Sequence, residues 1–219
     1  MNRHNSRKFE EPTIVITQES SNNAIETMLG NIGAGEDSVE SRTIWFTNEF
    51  YPETVATAIQ QIQQINNSDE SRERKATSEG QSYVRHPIKI YVSSYGGSVY
   101  DGLGLIGLIR SSKTPIHTYA IGKVMSMGFV LAVSGHKRFA YPYTSYMVHS
   151  LSGFHWGKFS ELKESVKEDE RLQTMLDTII TSNTSITQDR LNEVHEKNLD
   201  WYFDSVDAAV LGCVDEVII

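Results

Sequence analysis

Gly122-Lys-Val-Met-Ser126-Met-Gly128 lies between the apolar, strand-like run Thr114–Ile121 and the helical run Phe129–Ser134. A strand gives way to a helix here, and the junction carries one small nucleophile and flexible backbone. A serine in that place has its hydroxyl at the mouth of a sheet and the positive end of a helix beneath it, which suits a developing oxyanion. The same place suits a serine that only caps a helix. The stretch by itself leaves both readings open.

Working outward, Pro87–Val92 reads as a strand running into Ser93-Ser-Tyr-Gly96-Gly97-Ser98, whose glycines free backbone N–H groups at a second strand-to-helix turn. Val99–Ile109 follows as an apolar helix in which Gly102, Gly104 and Gly107 allow close approach of neighbouring backbone. Upstream, Thr43–Thr47 reads as a strand. Pro52–Ile65 reads as a helix with Val55, Ala58, Ile59, Ile62 and Ile65 along one stripe and Pro52 in its first turn. Downstream come strands at Arg138–Tyr141 and Tyr146–His149, then a Gly/aromatic segment over 150–157. The longest helix, Phe159–Ser182, has an apolar stripe through Phe159, Leu162, Val166, Leu172, Leu176, Ile179 and Ile180 and a charged opposite face, as expected where a helix docks on a partner or a domain edge. Thr187 is positioned to cap a helix to about Glu196, Ser205 to cap another that stops at Gly212, and Val214–Ile219 reads as a last strand. This alternation predicts an α/β fold with parallel crossovers.

Residues 1–40 read as a polar amino-terminal arm, weakly patterned apart from a strand candidate at Thr13–Thr17 and a loop over Gly30–Gly35, and 41–219 as a single domain. Within that domain 66–86 is almost wholly polar and lacks a core-facing period, so it reads as a long exposed loop, either an accessory surface or a local insertion.

Composition removes several functions. The net charge is −8 with no long Lys/Arg cluster, which argues against nucleic-acid binding because phosphate backbones need a basic footprint. The lone Cys213 excludes an intramolecular disulfide and a cysteine-based zinc site. No HExxH occurs, Asp169, Asp177 and Asp189 read as ordinary helix-surface or turn acids, and Tyr95-Gly-Gly-Ser98 lacks both the dinucleotide and the P-loop spacing, so neither metal nor cofactor is expected. No apolar run reaches about 18 residues, and the polar Met1–Arg7 has no apolar segment behind it. The expectation is a protein that neither enters a membrane nor is exported, with the cytoplasm as its compartment.

A serine hydrolase needs a base to take the hydroxyl proton and an acid to orient that base. His4 and His86 lie in polar segments, His117 within a strand, His136 in a turn, His155 in the Gly/aromatic loop and His195 near the polar end of a helix. His149 closes the apolar run Tyr146-Met-Val-His, and strand ends are where parallel sheets present reactive groups. It reads either as a base or as a packed histidine. Asp200 precedes Trp201-Tyr-Phe and reads either as an acid shielded by apolar neighbours or as a solvated carboxylate.

Taken together, Ser94-Tyr-Gly-Gly-Ser-Val, Met125-Ser-Met-Gly, Tyr146-Met-Val-His-Ser and the closing Asp200–Asp215 stretch resemble, in order and spacing, the Clp protease proteolytic-subunit family, the ClpP peptidases. The resemblance runs from about Glu40 to Ile219. It implies the ClpP/crotonase-like fold of repeated β-β-α units, with a protruding handle helix in the region 150–183. It implies Ser126 as nucleophile, His149 as general base and then acid, Asp200 as orienting acid, and the backbone N–H groups of Gly97 and Met127 as oxyanion donors. The implied function is a serine endopeptidase that cleaves unfolded polypeptides through an acyl-enzyme without metal or nucleotide. Substrate would lie extended beside the strands at Gly97 and Phe154. The implied assembly is a homo-oligomer of stacked heptameric rings fed by an AAA+ unfoldase of the ClpX, ClpA or ClpC type.

The chain departs from the family pattern in four places. Tyr95 stands where the family has proline, Leu199 and Trp201 flank Asp200 where arginines are common, the 66–86 segment is longer than the family's link, and Ser150 stands where glutamine is usual. The missing arginines imply a different coupling between rings, or a handle contact made by apolar packing. Rival readings are a viral capsid-maturation protease of the same fold, working in a host cytoplasm, and a catalytically silent ring subunit. A signal-peptide peptidase would use a Ser–Lys dyad, for which Lys123 is near Ser126, and a crotonase would need no Ser/His/Asp set.

Overall fold

The computed structural model describes residues 41–218. The arm over 1–40, with its strand candidate and loop, lies outside the described residues. In chain order the elements are β1 (Thr43–Phe46), α1 (Pro52–Ser78), β2 (Ile88–Ser94), α2 (Val99–Ser111), β3 (Ile116–Met125), α3 (Met127–Ala132), β4 (Lys137–Ala140), β5 (Ser145–Val148), α4 (Phe159–Asn183), α5 (Gln188–Glu196), β6 (Trp201–Phe203), α6 (Ser205–Val210) and β7 (Glu216–Val217).

Parallel strands run in the order β1-β2-β3-β4-β7, and β5 branches from β3 to carry the antiparallel β6. β3 makes that branch possible. Its first half pairs with β4 through His117–Ala120 and its second half with β5 through Lys123–Met125. Between them the β2 register slips, Val92 facing Ala120 but Ser94 facing Val124, and Gly122 sits in the bulge at φ 62°. A residue with no Cβ takes that left-handed turn without strain, so the strand bends and continues. The sequence-based end of this strand at Ile121 is therefore corrected to Met125.

β2 and the first half of β3 alternate buried and partly exposed residues. Ile88, Ile90 and Val92 are fully buried against the helices, together with Leu105, Ile106 and Ile109 of α2. On the other face Trp45, Tyr91, Tyr119 and Phe139 are in register on four neighbouring strands and stack in a row, with centroids 4.4, 4.8 and 4.7 Å apart. Parallel sheets are usually covered on both faces. Here the aromatic row is only partly covered by the described residues, and Trp45 stays 62% exposed.

The 66–86 segment corrects the expectation of a long loop. Helix α1 runs on to Ser78 because its stripe Val55, Ala58, Ile62, Ile65 continues at Asp69, which is fully buried. That carboxylate accepts from Arg42 Nη1 at 3.0 Å, Tyr83 Oη at 2.7 Å and Thr114 Oγ1 at 2.6 Å. Arg42 also donates to the His86 carbonyl, and Arg85 pairs with Glu73, so the chain after the helix folds back along it. Burial pushes the Asp69 carboxyl up, but the hydrogen bonds from Arg42, Thr114 and Tyr83 and the Arg42 charge outweigh it and bring the group down to about 2.

Two smaller corrections have equally local causes. Asp204, not Ser205, caps α6, its Oδ1 accepting from the Val206 and Asp207 N–H groups, while the Ser205 hydroxyl donates to the Tyr141 carbonyl at 2.8 Å. Gly102 is the one glycine of α2 with close neighbours, lying against the Met127 and Phe50 side chains, whereas a Cβ at Gly104 or Gly107 would meet nothing within 4 Å. In α4 the expected stripe is buried only from Leu172 onward, through Leu176 and Ile180. Phe159 and Val166 stay 84% and 52% exposed.

Candidate active site

Ser126 occupies the turn between β3 and α3 with φ 52° and ψ −125°, a conformation that a non-glycine residue adopts at a cost of about 1–3 kcal/mol. It is held there from both sides. Its N–H donates to the Met147 carbonyl at 2.9 Å, and its own carbonyl accepts from Phe129 at 2.9 Å. The hydroxyl is thereby displayed at the sheet edge, as on a nucleophile elbow. The Ser126 side chain makes no cap bond to α3, so the helix-cap reading falls away.

His149 follows β5, the strand that pairs with the last residues of β3, and its Nε2 lies 2.9 Å from Ser126 Oγ. At that distance an imidazole takes a hydroxyl proton directly. Beneath it Tyr146 stacks on Phe203 at 5.2 Å, and Phe129 meets both edge-on, which fixes β5, β6 and α3 to one another.

The glycine turn completes the other side. Phe50 N–H donates to the Gly96 carbonyl at 2.8 Å and Ser98 N–H to the Phe50 carbonyl at 2.9 Å, a bridge that leaves the Gly97 N–H without a partner among the described residues. The Met127 N–H, at the first turn of α3, is likewise unpaired there. Gly97, Ser126, Met127 and His149 line one cavity of about 480 Å³. Gly96 packs hardest on the nucleophile. At φ 111°, a Cβ on it would come 2.7 Å from Ser126 Cβ and 3.1 Å from Met127 N.

Asp200 is placed differently. The β5–β6 ladder pairs Val148 with Trp201, so Asp200 stands one step beyond the last pair, on the strand beside His149. Its side chain is exposed and makes no hydrogen bond among the described residues, so the expected apolar shielding is not seen. Trp201 instead receives the Arg190 guanidinium on its ring at 4.2 Å. Lys123, near Ser126 in sequence, points to the Tyr95 ring at 4.4 Å and does not pair with the serine.

Sequence reasoning missed one part of this cavity. Asp177, read as a helix-surface acid, is 5% exposed and shares the cavity lining with Gln173 and His195. The signal was available: Asp177 falls beside Leu176 and one turn from Ile180, on the apolar stripe. Asp169, by contrast, pairs with His155 at 2.6 Å near the surface. Among the described residues no group of acidic, histidine or cysteine side chains could hold a metal ion, and no helix is long and apolar enough to cross a membrane.

Comparison with known proteins identifies the family and the fold. The family model for Clp protease matches residues 37–219. The ATP-dependent Clp protease proteolytic subunit of Deinococcus radiodurans is 32% identical over 133 residues, covering 60% of this chain and 64% of that protein. The subunit of the same name from Bacteroides fragilis is 32% identical over 134 residues, with the same two coverages. The crystal structure of the ClpP protease catalytic domain from Plasmodium falciparum superimposes with a TM-score of 0.64 at 27% identity, covering 81% of this chain and 85% of that one. The alignable part thus spans about 64% of the length of these curated relatives. The α/β architecture is that of the ClpP fold, and the chain belongs to the Clp protease family.

Proposed function

We propose that the protein is a serine endopeptidase of the Clp type. The observation that carries the reading is the 2.9 Å contact of His149 Nε2 with Ser126 Oγ, on a strained turn flanked by the Gly97 and Met127 N–H groups, which have no partner among the described residues. In this reading His149 takes the Ser126 proton as Oγ attacks a peptide carbonyl. Gly97 and Met127 donate to the oxyanion, His149 returns the proton to the leaving amine, and water releases the acyl group. Each oxyanion donor contributes on the order of 3 kcal/mol to such a transition state.

Asp200 is the acid of the proposed triad, recruited to the free side of the imidazole when protomers assemble. The substrate is an unfolded polypeptide lying extended in the cavity, and a partner AAA+ unfoldase delivers it in a cytoplasmic setting. Assembly into stacked rings is supported by surfaces the described residues leave bare, namely the Trp45 end of the aromatic row and Phe154, Trp156 and Phe159 before and at the start of α4, 87%, 91% and 84% exposed.

An activated ester tests the chemistry. The reading predicts a burst of leaving group equal to the protein concentration, followed by slower turnover, and no burst from Ser126→Ala. A steady release unaffected by Ser126→Ala would remove the proposal.

A further inference from the structure

The cavity beside Ser126 has a polar side formed by α4 and α5. The Leu151 N–H, two residues beyond His149, donates to Gln173 Oε1 at 2.6 Å. The same amide donates from Nε2 to Asp177 Oδ1 at 2.8 Å. A carboxylate only accepts, so Asp177 fixes which way round the Gln173 amide sits, its NH2 toward Asp177 and its carbonyl toward Leu151. Asp177 is in turn held by Gln188 Nε2 at 2.8 Å and by His195 Nε2, 3.1 Å from each of its oxygens. The carboxylate requires a proton on His195 Nε2, and Nδ1 is buried with no partner among the described residues. With three donors already on it, Asp177 acts as a bracket and not as an open cation site.

The bracket matters because of what His149 lacks. Its strand is anchored up to Val148 by pairing with β6, and among the described residues the imidazole donates no hydrogen bond to Asp200. The next anchored point after His149 is the Leu151 N–H. His149 therefore hangs between two fixed points, of which the second is Gln173.

We propose that Gln173 is a positioning residue that, locked by Asp177 and His195, holds the chain after His149 and so sets the imidazole against Ser126. The inference deepens the hydrolase reading and, as a statement about catalysis, rests on it. None of the three residues handles the reacting atoms.

The test compares the wild type with Gln173→Leu, Gln173→Glu, and Gln173→Glu combined with Asp177→Asn. The double exchange reverses the donor and acceptor between the two side chains and can re-form both hydrogen bonds. Gln173→Glu alone sets two carboxylates face to face. Three quantities are read: exchange of the Leu151 amide, the His149 ring resonances by NMR, and the rate at which a fluorophosphonate labels Ser126. Gln173→Leu is expected to speed Leu151 exchange and slow labelling, each about tenfold, the equivalent of one lost hydrogen bond. It should also shift the His149 resonances and lower kcat without raising KM. Gln173→Glu should behave likewise, and the double exchange should return labelling to within about threefold of wild type.

Wild-type labelling by Gln173→Leu overturns the proposal. So does a double exchange that melts with the wild type yet stays slow. If the wild type itself never labels, the hydrolase reading fails separately. The His149 resonances then still decide the brace, because their indifference to Gln173→Leu overturns it.

Discussion

Replacing Gly96 by alanine should disable Ser126 while leaving the fold standing. The added Cβ would lie 2.7 Å from Ser126 Cβ, about 0.7 Å short of the 3.4 Å at which contact becomes ordinary, and only 3.0 Å from Oγ. The glycine cannot yield by rotating, because φ 111° is a value that alanine itself resists, and its carbonyl is tied to the Phe50 N–H at 2.8 Å. Relief must come from the Ser126 side. A retreat of about 0.7 Å moves Oγ out of the geometry in which it makes its 2.9 Å contact with His149. Displacements of about 1 Å at a reacting atom cost on the order of a hundredfold in rate. Backbone strain adds a stability loss of about 1–3 kcal/mol. The control is Gly104→Ala, a helical position with nothing within 4 Å, which should be neutral or stabilise by up to about 1 kcal/mol. Ester turnover and thermal melting of both variants measure the two effects. A Gly96→Ala protein that keeps turnover within about threefold of wild type would refute the steric reasoning.

Three further outcomes follow from particular groups. Asp69, unfolded near 3.8 and folded near 2, contributes stability that is fully present above the unfolded value and lost as pH falls from about 4 to 2. The difference amounts to about 2 kcal/mol, and Asp69→Asn should remove that acid-dependent component from urea melts run across this range. Burial pushes the Cys213 thiol up to about 12, against a small opposing effect of Arg138, so it should resist iodoacetamide at pH 8 in the native protein and alkylate fully in guanidinium. Asp200→Asn should leave Ser126 labelling unchanged in isolated protomers, where its carboxylate makes no hydrogen bond among the described residues, and slow it at least about tenfold in assembled protein. Equal slowing in both states would contradict recruitment on assembly.

How much of this was legible in the sequence varies with the kind of signal. Period and punctuation gave the alternation of β2, α2, β3 and α3, and the glycine pair before Ser98 announced a second strand-to-helix turn. Pairings that cross the chain were harder to see. Helix α1 runs past Ile65 because Asp69 meets Arg42, Tyr83 and Thr114, partners up to 45 residues away, and a search for apolar stripes reads a buried carboxylate as solvent-facing. Asp177 was misread for the same reason, because a charged residue on an apolar stripe becomes intelligible only once Gln188 and His195 arrive from another helix. β6 has only three residues and no alternation of its own; its pairing with β5 creates it. Ser126 and His149 were named as partners from motif order. The 2.9 Å between them required the branch of β3 at Gly122, which no local pattern encodes.

The central claim is that Ser126 is a nucleophile activated by His149. Incubation with a fluorophosphonate, followed by mass spectrometry of the digested protein, tests it most directly. The account predicts one adduct per chain, on the peptide containing Ser126, and a labelling rate lowered by two or more orders of magnitude in His149→Ala, as expected on losing a general base. An unlabelled Ser126 in assembled protein beside a serine hydrolase that labels normally, or labelling indifferent to His149→Ala, would contradict it.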